Sequence, residues 1–337
     1  MKPNLLLFSY ILLSFISSTI SLQIEQSQSK FSYSTINWMS NIPDNKLILL
    51  INMPGAHDTA ANEMNPLAED VARTQNRTIP ELLKFGIRKL DIRVALFDSI
   101  EEEDEDLHTC HGMFDCYYID EYNTTKNLTY KHILLDIKNF LQENPSETVI
   151  LWTQSEKGDS YSNIKRAVEL MEKYVGGILV NYNKNLTLGN VRGKIVTTVY
   201  KTIDEQGTET YHKGIDGGSD LEEIHMKYID KYYYNSWEVS GEVKIQEVQD
   251  FLTTYNISIE HAEEIFFQDI DKFPYCYAVS CTGEHVSILP MPKRQAEIVN
   301  PFILNYEFIP GYYYGWIEMD FASLKLAKKF IDTNFLE

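Results

Sequence analysis

Two periods recur in the apolar positions of this chain. Mostly apolar runs at 47–53, 88–97, 148–153, 194–200, 264–269 and 312–321 read as strands. Segments with apolar residues three and four apart, at 78–84, 130–142, 162–174, 243–255, 295–305 and 324–333, read as helices. In the second of these, Ile133, Leu134, Ile137, Phe140 and Leu141 fall on one helical face, and Asn144-Pro-Ser-Glu147 ends it. Apolar strands alternating with amphipathic helices predict a single, distorted TIM-like β/α barrel. The stretch 205–237 shows neither period. No repeat, linker or composition break interrupts residues 22–337, which predicts one domain there.

Residues 1–21 depart from both patterns. A lysine near the start, an apolar run over 5–16 and small residues around Thr19 and Ser21 predict a secretory signal peptide, too short and too rich in serine for a membrane span. The chain is therefore expected to be secreted. Sequons at Asn76, Asn123, Asn127, Asn185 and Asn256 are expected glycan acceptors in that setting. The four cysteines form two close pairs, and an oxidising compartment predicts disulfides Cys110–Cys116 and Cys276–Cys281. Zinc is the rival for four cysteines, but the pairs lack its two-residue spacing.

Composition narrows the partners. The 337 residues are 44% hydrophobic, enough for a large core, and the formal net charge is −19. That charge argues against nucleic acid and strongly anionic membrane as partners. The acidic run at 101–106 reads as a solvated loop. Aromatic clusters at Tyr232-Tyr-Tyr234 with Trp237, and at Tyr312-Tyr-Tyr-Gly-Trp316, are candidates for a lipid-facing rim, the second also for barrel packing.

The candidate chemistry sits where strands end. Pro54-Gly55 turns the chain after the first strand and places His57 and Asp58 on a loop at the rim, with side chains diverging. Asp91 and Arg93 are two apart on a strand and share a face, while Leu90 and Ile92 take the other. His111, followed by Gly112, stands at the end of a further strand. Two histidines, carboxylates and an arginine meeting at one rim describe a general base, a general acid and a phosphate clamp. His108, His132, His212, His225, His261 and His285 read as structural or surface groups. Asp91 and Arg93 alone also read as a structural ion pair.

Met53-Pro-Gly-Ala-His-Asp-Thr, Gly86-Ile-Arg-Lys-Leu-Asp-Ile-Arg, His111-Gly112 and Asn144-Pro-Ser-Glu-Thr-Val-Ile, in this order, resemble the X domain of phosphatidylinositol-specific phospholipases C, in particular the small secreted bacterial enzymes. The likeness runs from Trp38-Met39 through Leu188-Gly-Asn-Val-Arg-Gly-Lys-Ile-Val196 to Gly315-Trp-Ile-Glu-Met-Asp320. It implies that His57 is the general base for the inositol 2-hydroxyl, Asp320 the carboxylate that orients it, and Arg93 the phosphate clamp. It further implies that His111 is the acid for the diacylglycerol leaving oxygen, supported by Asp58. Asp91, Asp230, Tyr232 and Lys201 are implied substrate-pocket residues. Gln154 or Ser155, and Tyr200, stand where the bacterial pocket has cations, which leaves phosphatidylinositol and glycosyl-phosphatidylinositol anchors both as expected substrates. An arginine at position 93, where calcium-dependent relatives hold an acidic ligand, implies metal-independent catalysis without a cofactor, by a protein expected to be monomeric. Two other classes stay open: an inactive inositol-lipid or glycan binder on the same barrel, and a related metal-dependent phosphodiesterase.

Overall fold

The computed structural model describes residues 32–96, 107–212, 241–254, 257–268, 277–279 and 291–336. Its first half contains β1 (Met53–Ala56), α1 (Glu69–Ala72), α2 (Ile79–Phe85), β2 (Lys89–Leu96), β3 (Leu107–His111), β4 (Phe114–Asp115), β5 (Tyr117–Ile119), β6 (Thr125–Asn127), α3 (Tyr130–Glu143), β7 (Val149–Ser155) and α4 (Ser160–Val175). Then follow β8 (Leu179–Asn181), α5 (Leu188–Val191), β9 (Ile195–Thr197), β10 (Tyr200–Ile203), β11 (Glu209–His212), α6 (Gly241–Thr254), α7 (Ile259–Gln268), β12 (Tyr277–Val279), α8 (Pro292–Asn305), β13 (Trp316–Met319) and α9 (Leu324–Asp332).

Seven strands pair in the order β12-β13-β1-β2-β7-β9-β8, and every neighbouring pair is parallel. Among the described residues these ladders do not close into a ring. Helices cover the outside. On α3 the predicted stripe is buried, with Tyr130 joining it; each such side chain contributes roughly 1.5–3 kcal/mol by leaving water. Ser34–Leu336 forms one compact unit.

Two sequence motifs do structural work below the rim. Thr78 and Glu81 form a capping box that starts α2, and Gly86 ends it with φ 101°, where a Cβ would lie 2.5 Å from Ile331 Cδ1. Arg88, fully buried, pairs with buried Glu147 of the Asn144-Pro-Ser-Glu turn at 2.8 Å. Its Nη2 also donates to Ile36 O, and its Nη1 to the carbonyls of Leu83 and Ile87. The pair thus ties the segment before β1, the end of α2 and the start of β7 into one buried knot, and removal of one partner is expected to cost about 3–5 kcal/mol.

Several boundaries differ from expectation. The apolar run 47–53 is mostly a 3-10 turn, Ile48–Leu50, and β1 begins at Met53. The run is buried, but Asn52 interrupts it by donating to Tyr312 O and Thr333 Oγ1. Residues 264–268 of the expected strand 264–269 belong to helix α7, and residue 269 lies outside the described residues: Ala262 and Phe266, four apart, are buried on that helix, so the helical period outweighs the apolar Ile-Phe-Phe triplet. Tyr312–Gly315 lead into β13 without belonging to it, and Tyr313, Tyr314 and Trp316 are buried, which makes that cluster barrel packing. Within 205–237, residues 209–212 pair antiparallel with β10; Tyr232–Tyr234 and Trp237 lie outside the described residues.

The expected Cys110–Cys116 disulfide is not formed: both are buried free thiols. In the β3–β4 hairpin Cys110 is paired with Asp115, and Cys116 N–H donates to Thr109 O. Cys110 thus stands opposite Asp115 and Cys116 opposite Thr109, so the two cysteines are not a cross-strand pair despite their short separation in sequence. Cys276 and Cys281 lie outside the described residues.

Candidate active site

The parallel ladder places the site. His57 follows β1 directly, and its N–H donates to Met319 O at 3.2 Å, one step beyond the β1–β13 register. This brings His57 Nδ1 within 2.7 Å of Asp320 Oδ1, just after β13. The two side chains are 1% and 0% exposed. On the other side of β1, Arg93 of β2 puts Nη2 2.8 Å from His57 Nε2. A guanidinium has only donors, so Nε2 is the acceptor and the ring proton resides on Nδ1, donated to Asp320. Burial, and then the Arg93 cation, hold the His57 pKa well below the ordinary imidazole value. His57 is a neutral imidazole with its basic nitrogen facing the cleft.

Arg93 is surrounded by carboxylates: Asp91 at 3.5 Å, Glu156 at 3.3 Å and Asp58 at 3.7 Å. Asp91 accepts from Gln154 Nε2 at 2.7 Å and from the Asp58 N–H at 3.1 Å. Burial raises its pKa, but Arg93, His57 and Lys89 outweigh that and leave it below the usual value. Asp91 is thus an ionised support for Arg93 and for the loop that carries Asp58. That loop is tightly held. Asp58 adopts φ 40°, the Thr59 hydroxyl caps Ala56 O, and the buried Gln75 amide donates to both His57 O and Met319 O.

His111 ends β3, which pairs antiparallel with the far end of β2. Its ring centroid is 6.5 Å from that of His57, edge to face. Nδ1 donates to Ala72 O at 2.6 Å, with Asp58 Oδ2 3.1 Å away; Nε2 is left for a ligand. Burial, and then Arg93, lower the His111 pKa. Burial raises that of Asp58 strongly, against the pull of Arg93. Glu156, after β7, joins the two halves by accepting from Arg93 and from the Gly112 N–H at 2.7 Å.

Five predicted residues, His57, Asp58, Arg93, His111 and Asp320, therefore meet in one cleft with Asp91 beneath them. Lys201 is instead held by Glu172 at 2.9 Å and Glu209 at 3.3 Å, between α4 and the β10–β11 hairpin. Asp230 and Tyr232 lie outside the described residues. Of the histidines set aside, His108 contacts Asp115, His132 Thr129, His212 Thr202 and His261 Glu264, while His225 and His285 lie outside the described residues. Sequence reasoning missed Glu156, whose place just past a strand end was the available signal, and Gln75, for which there was none.

No family model matches the chain. A 1-phosphatidylinositol phosphodiesterase of Listeria monocytogenes is 29% identical over 175 residues, 50% of this chain and 49% of that protein. The protein of the same name from Staphylococcus aureus strain Newman is 27% identical over 246 residues, 66% of this chain and 70% of its own length. A solved structure of the phosphatidylinositol-specific phospholipase C from L. monocytogenes superimposes with a TM-score of 0.64 at 22% identity, covering 90% of this chain and 100% of that one. The chain is similar to the phosphatidylinositol-specific phospholipases C in sequence and in fold. An S. aureus phospholipase C gives a TM-score of 0.62 at 20% identity, over 90% and 98% of the two chains. These phospholipases C have a TIM-like barrel, and that is the fold of this chain. The sequence match spans about half the length of the Listeria enzyme.

Proposed function

We propose that this chain is a phosphodiesterase that cleaves phosphatidylinositol by intramolecular attack of the inositol 2-hydroxyl on phosphorus. The observation that carries the reading is the line Asp320–His57–Arg93, with His111 facing it across the cleft. A guanidinium touching the base marks where a phosphate would sit: as the phosphate takes over Arg93, His57 Nε2 is released to the hydroxyl beside it.

The proton of the 2-hydroxyl passes to His57 Nε2, and Asp320 stabilises the imidazolium that forms. The hydroxyl oxygen bonds to phosphorus while Arg93 neutralises the non-bridging oxygens. The bond from phosphorus to the glycerol oxygen breaks, and that oxygen takes a proton from His111 Nε2. The Nδ1–H bond to Ala72 O leaves Nε2 as the proton-bearing atom of the imidazolium, and the phosphate charge offsets the Arg93 repulsion that otherwise disfavours it. The products are diacylglycerol and inositol 1,2-cyclic phosphate. No step calls for a metal, because Arg93 occupies the clamping position.

Phosphatidylinositol is the substrate that the names of the relatives support. Glycosyl-phosphatidylinositol anchors belong to the same reading, since the attacking hydroxyl and the phosphate are shared. So does secretion, supported by residues 1–21 and by sequons of which Asn76, Asn123 and Asn185 are exposed and Asn127 partly so. A monomer is the simplest assembly for a site built from one chain. Phosphorus NMR of the purified protein with phosphatidylinositol vesicles and EDTA tests the core of the proposal. A cyclic inositol phosphate signal is expected. Product only with added calcium overturns the Arg93 clamp, and silence with both lipid and anchored protein substrates leaves the inactive binder.

A further inference from the structure

Directly beneath the active site lies a second pair of buried charges that the reaction above does not use. Lys89 of β2 and Glu318 of β13 are fully buried and ion-paired. Lys89 stands two residues before Asp91 on β2 and so shares its face, and Glu318 stands two residues before Asp320, which follows β13 directly. Between the two strands runs β1, with Gly55 in register with both Lys89 and Glu318, and His57 two residues further on. Three adjacent strands therefore stack two layers: Glu318–Gly55–Lys89 below, Asp320–His57–Asp91 above. Gly55 is what lets the lower layer close, because a Cβ there would lie 3.0 Å from Glu318 Cγ and 3.2 Å from Lys89 Cβ. The Lys89 ammonium also sits over the Trp152 ring, 4.3 Å from its centroid.

Stability alone does not account for such a pair. Desolvating two ions costs about as much as their attraction returns, and well-packed apolar residues in the same volume serve a core at least as well. What an apolar pair lacks is direction. We infer that Lys89 and Glu318 are positioning residues for the base: they tie β2 to β13 across β1 and place a cation under the Asp91 side of His57 and an anion under the Asp320 side. The consequence for rate rests on the proposed reaction, whereas the effect on His57 does not. Besides this pair, the ionisable groups around His57 and its Arg93 partner are Asp320 just after β13, Asp58 just after β1, Asp91 and Arg93 from β2, His111 from β3 and Glu156 just after β7. Lys89 is among the cations that oppose protonation of His57 and favour ionised Asp91.

The test is an NMR titration of His57 in ring-labelled full-length protein without substrate, beside turnover of phosphatidylinositol vesicles. Three proteins are compared: wild type, Lys89→Met with Glu318→Met, and the reversed pair Lys89→Glu with Glu318→Lys. The His57 midpoint is expected to rise in that order, as the ammonium is first removed and then replaced by a carboxylate. The reversed pair is expected to lose about tenfold or more in kcat with KM within about twofold. If the reversed pair does not fold, the double methionine variant decides alone. A wild-type His57 midpoint and kcat in a folded double methionine variant overturn the inference and leave the pair as packing. A midpoint that moves in a protein whose wild type makes no cyclic phosphate upholds the inference and sinks the phosphodiesterase reading instead.

Discussion

The base side of the site grows from three adjacent parallel strands, β13, β1 and β2, whereas the acid side stands at the end of the antiparallel strand β3 beside a turn. His57 and Asp320 are almost fully buried, but the His111 side chain is 22% exposed. On the base side, ladder register fixes every atom that touches the imidazole. On the acid side, the Ala72 carbonyl, the Asp58 carboxylate and the Glu156–Gly112 contact hold the ring and its surroundings. A proton acceptor needs a fixed tautomer and a shielded nitrogen, while in the proposed reaction the proton donor must stand open to the leaving group at the mouth of the cleft.

The largest expected effects fall on the base side. His57→Ala should lower kcat/KM by about 10³- to 10⁴-fold, the upper range for an acid–base group. Because burial and Arg93 depress the His57 pKa, the free enzyme keeps its unprotonated base to well below the ordinary imidazole pKa. The acid limb of the kcat/KM profile is therefore expected on the acidic side of that value. Arg93→Met removes a cation that disfavours the imidazolium, so its residual activity should show a limb displaced to higher pH. A limb that stays in place would break the link between Arg93 and the base.

The acid side should be more forgiving. His111→Ala is expected to lose about 10²- to 10³-fold on the natural lipid but far less on a nitrophenyl ester, whose leaving group needs no proton. Equal losses on the two substrates would erase the distinction between the sides. The smallest effect concerns the thiols beside His111. Burial pushes Cys110 up to about 12 and raises Cys116 well above the ordinary thiol value, which suppresses the thiolate in both. Peptide-resolved alkylation of the folded protein at pH 8 should leave both unmodified, then label both after unfolding without reductant. Failure to label unfolded protein would restore a disulfide at this position.

How much was legible beforehand follows from what each signal encodes. The helical stripe 133–141 and the position of Arg93 two residues after Asp91 are periodic features, and both are realised. The run 47–53 carries no such signal, because burial alone makes a sequence apolar, whether the backbone is strand or turn. The Cys110–Cys116 pairing failed because proximity along the chain says nothing about which residues of a hairpin stand opposite one another. Lys201 is a pocket residue only by resemblance, and Glu172, which captures it together with Glu209, sits 29 positions earlier on another element.

Local chemistry and period determined by themselves the alternation of strands and helices, the rim position of His57 and Asp58, and the shared face of Asp91 and Arg93. Those are properties of neighbouring residues. That Asp320 meets His57 across 263 positions, that Arg93 selects its tautomer, and that Lys89 finds Glu318 through the gap at Gly55 was decided only by the register of β13, β1 and β2. Side-chain distances across a parallel ladder depend on which strands become neighbours, and non-local packing chooses them.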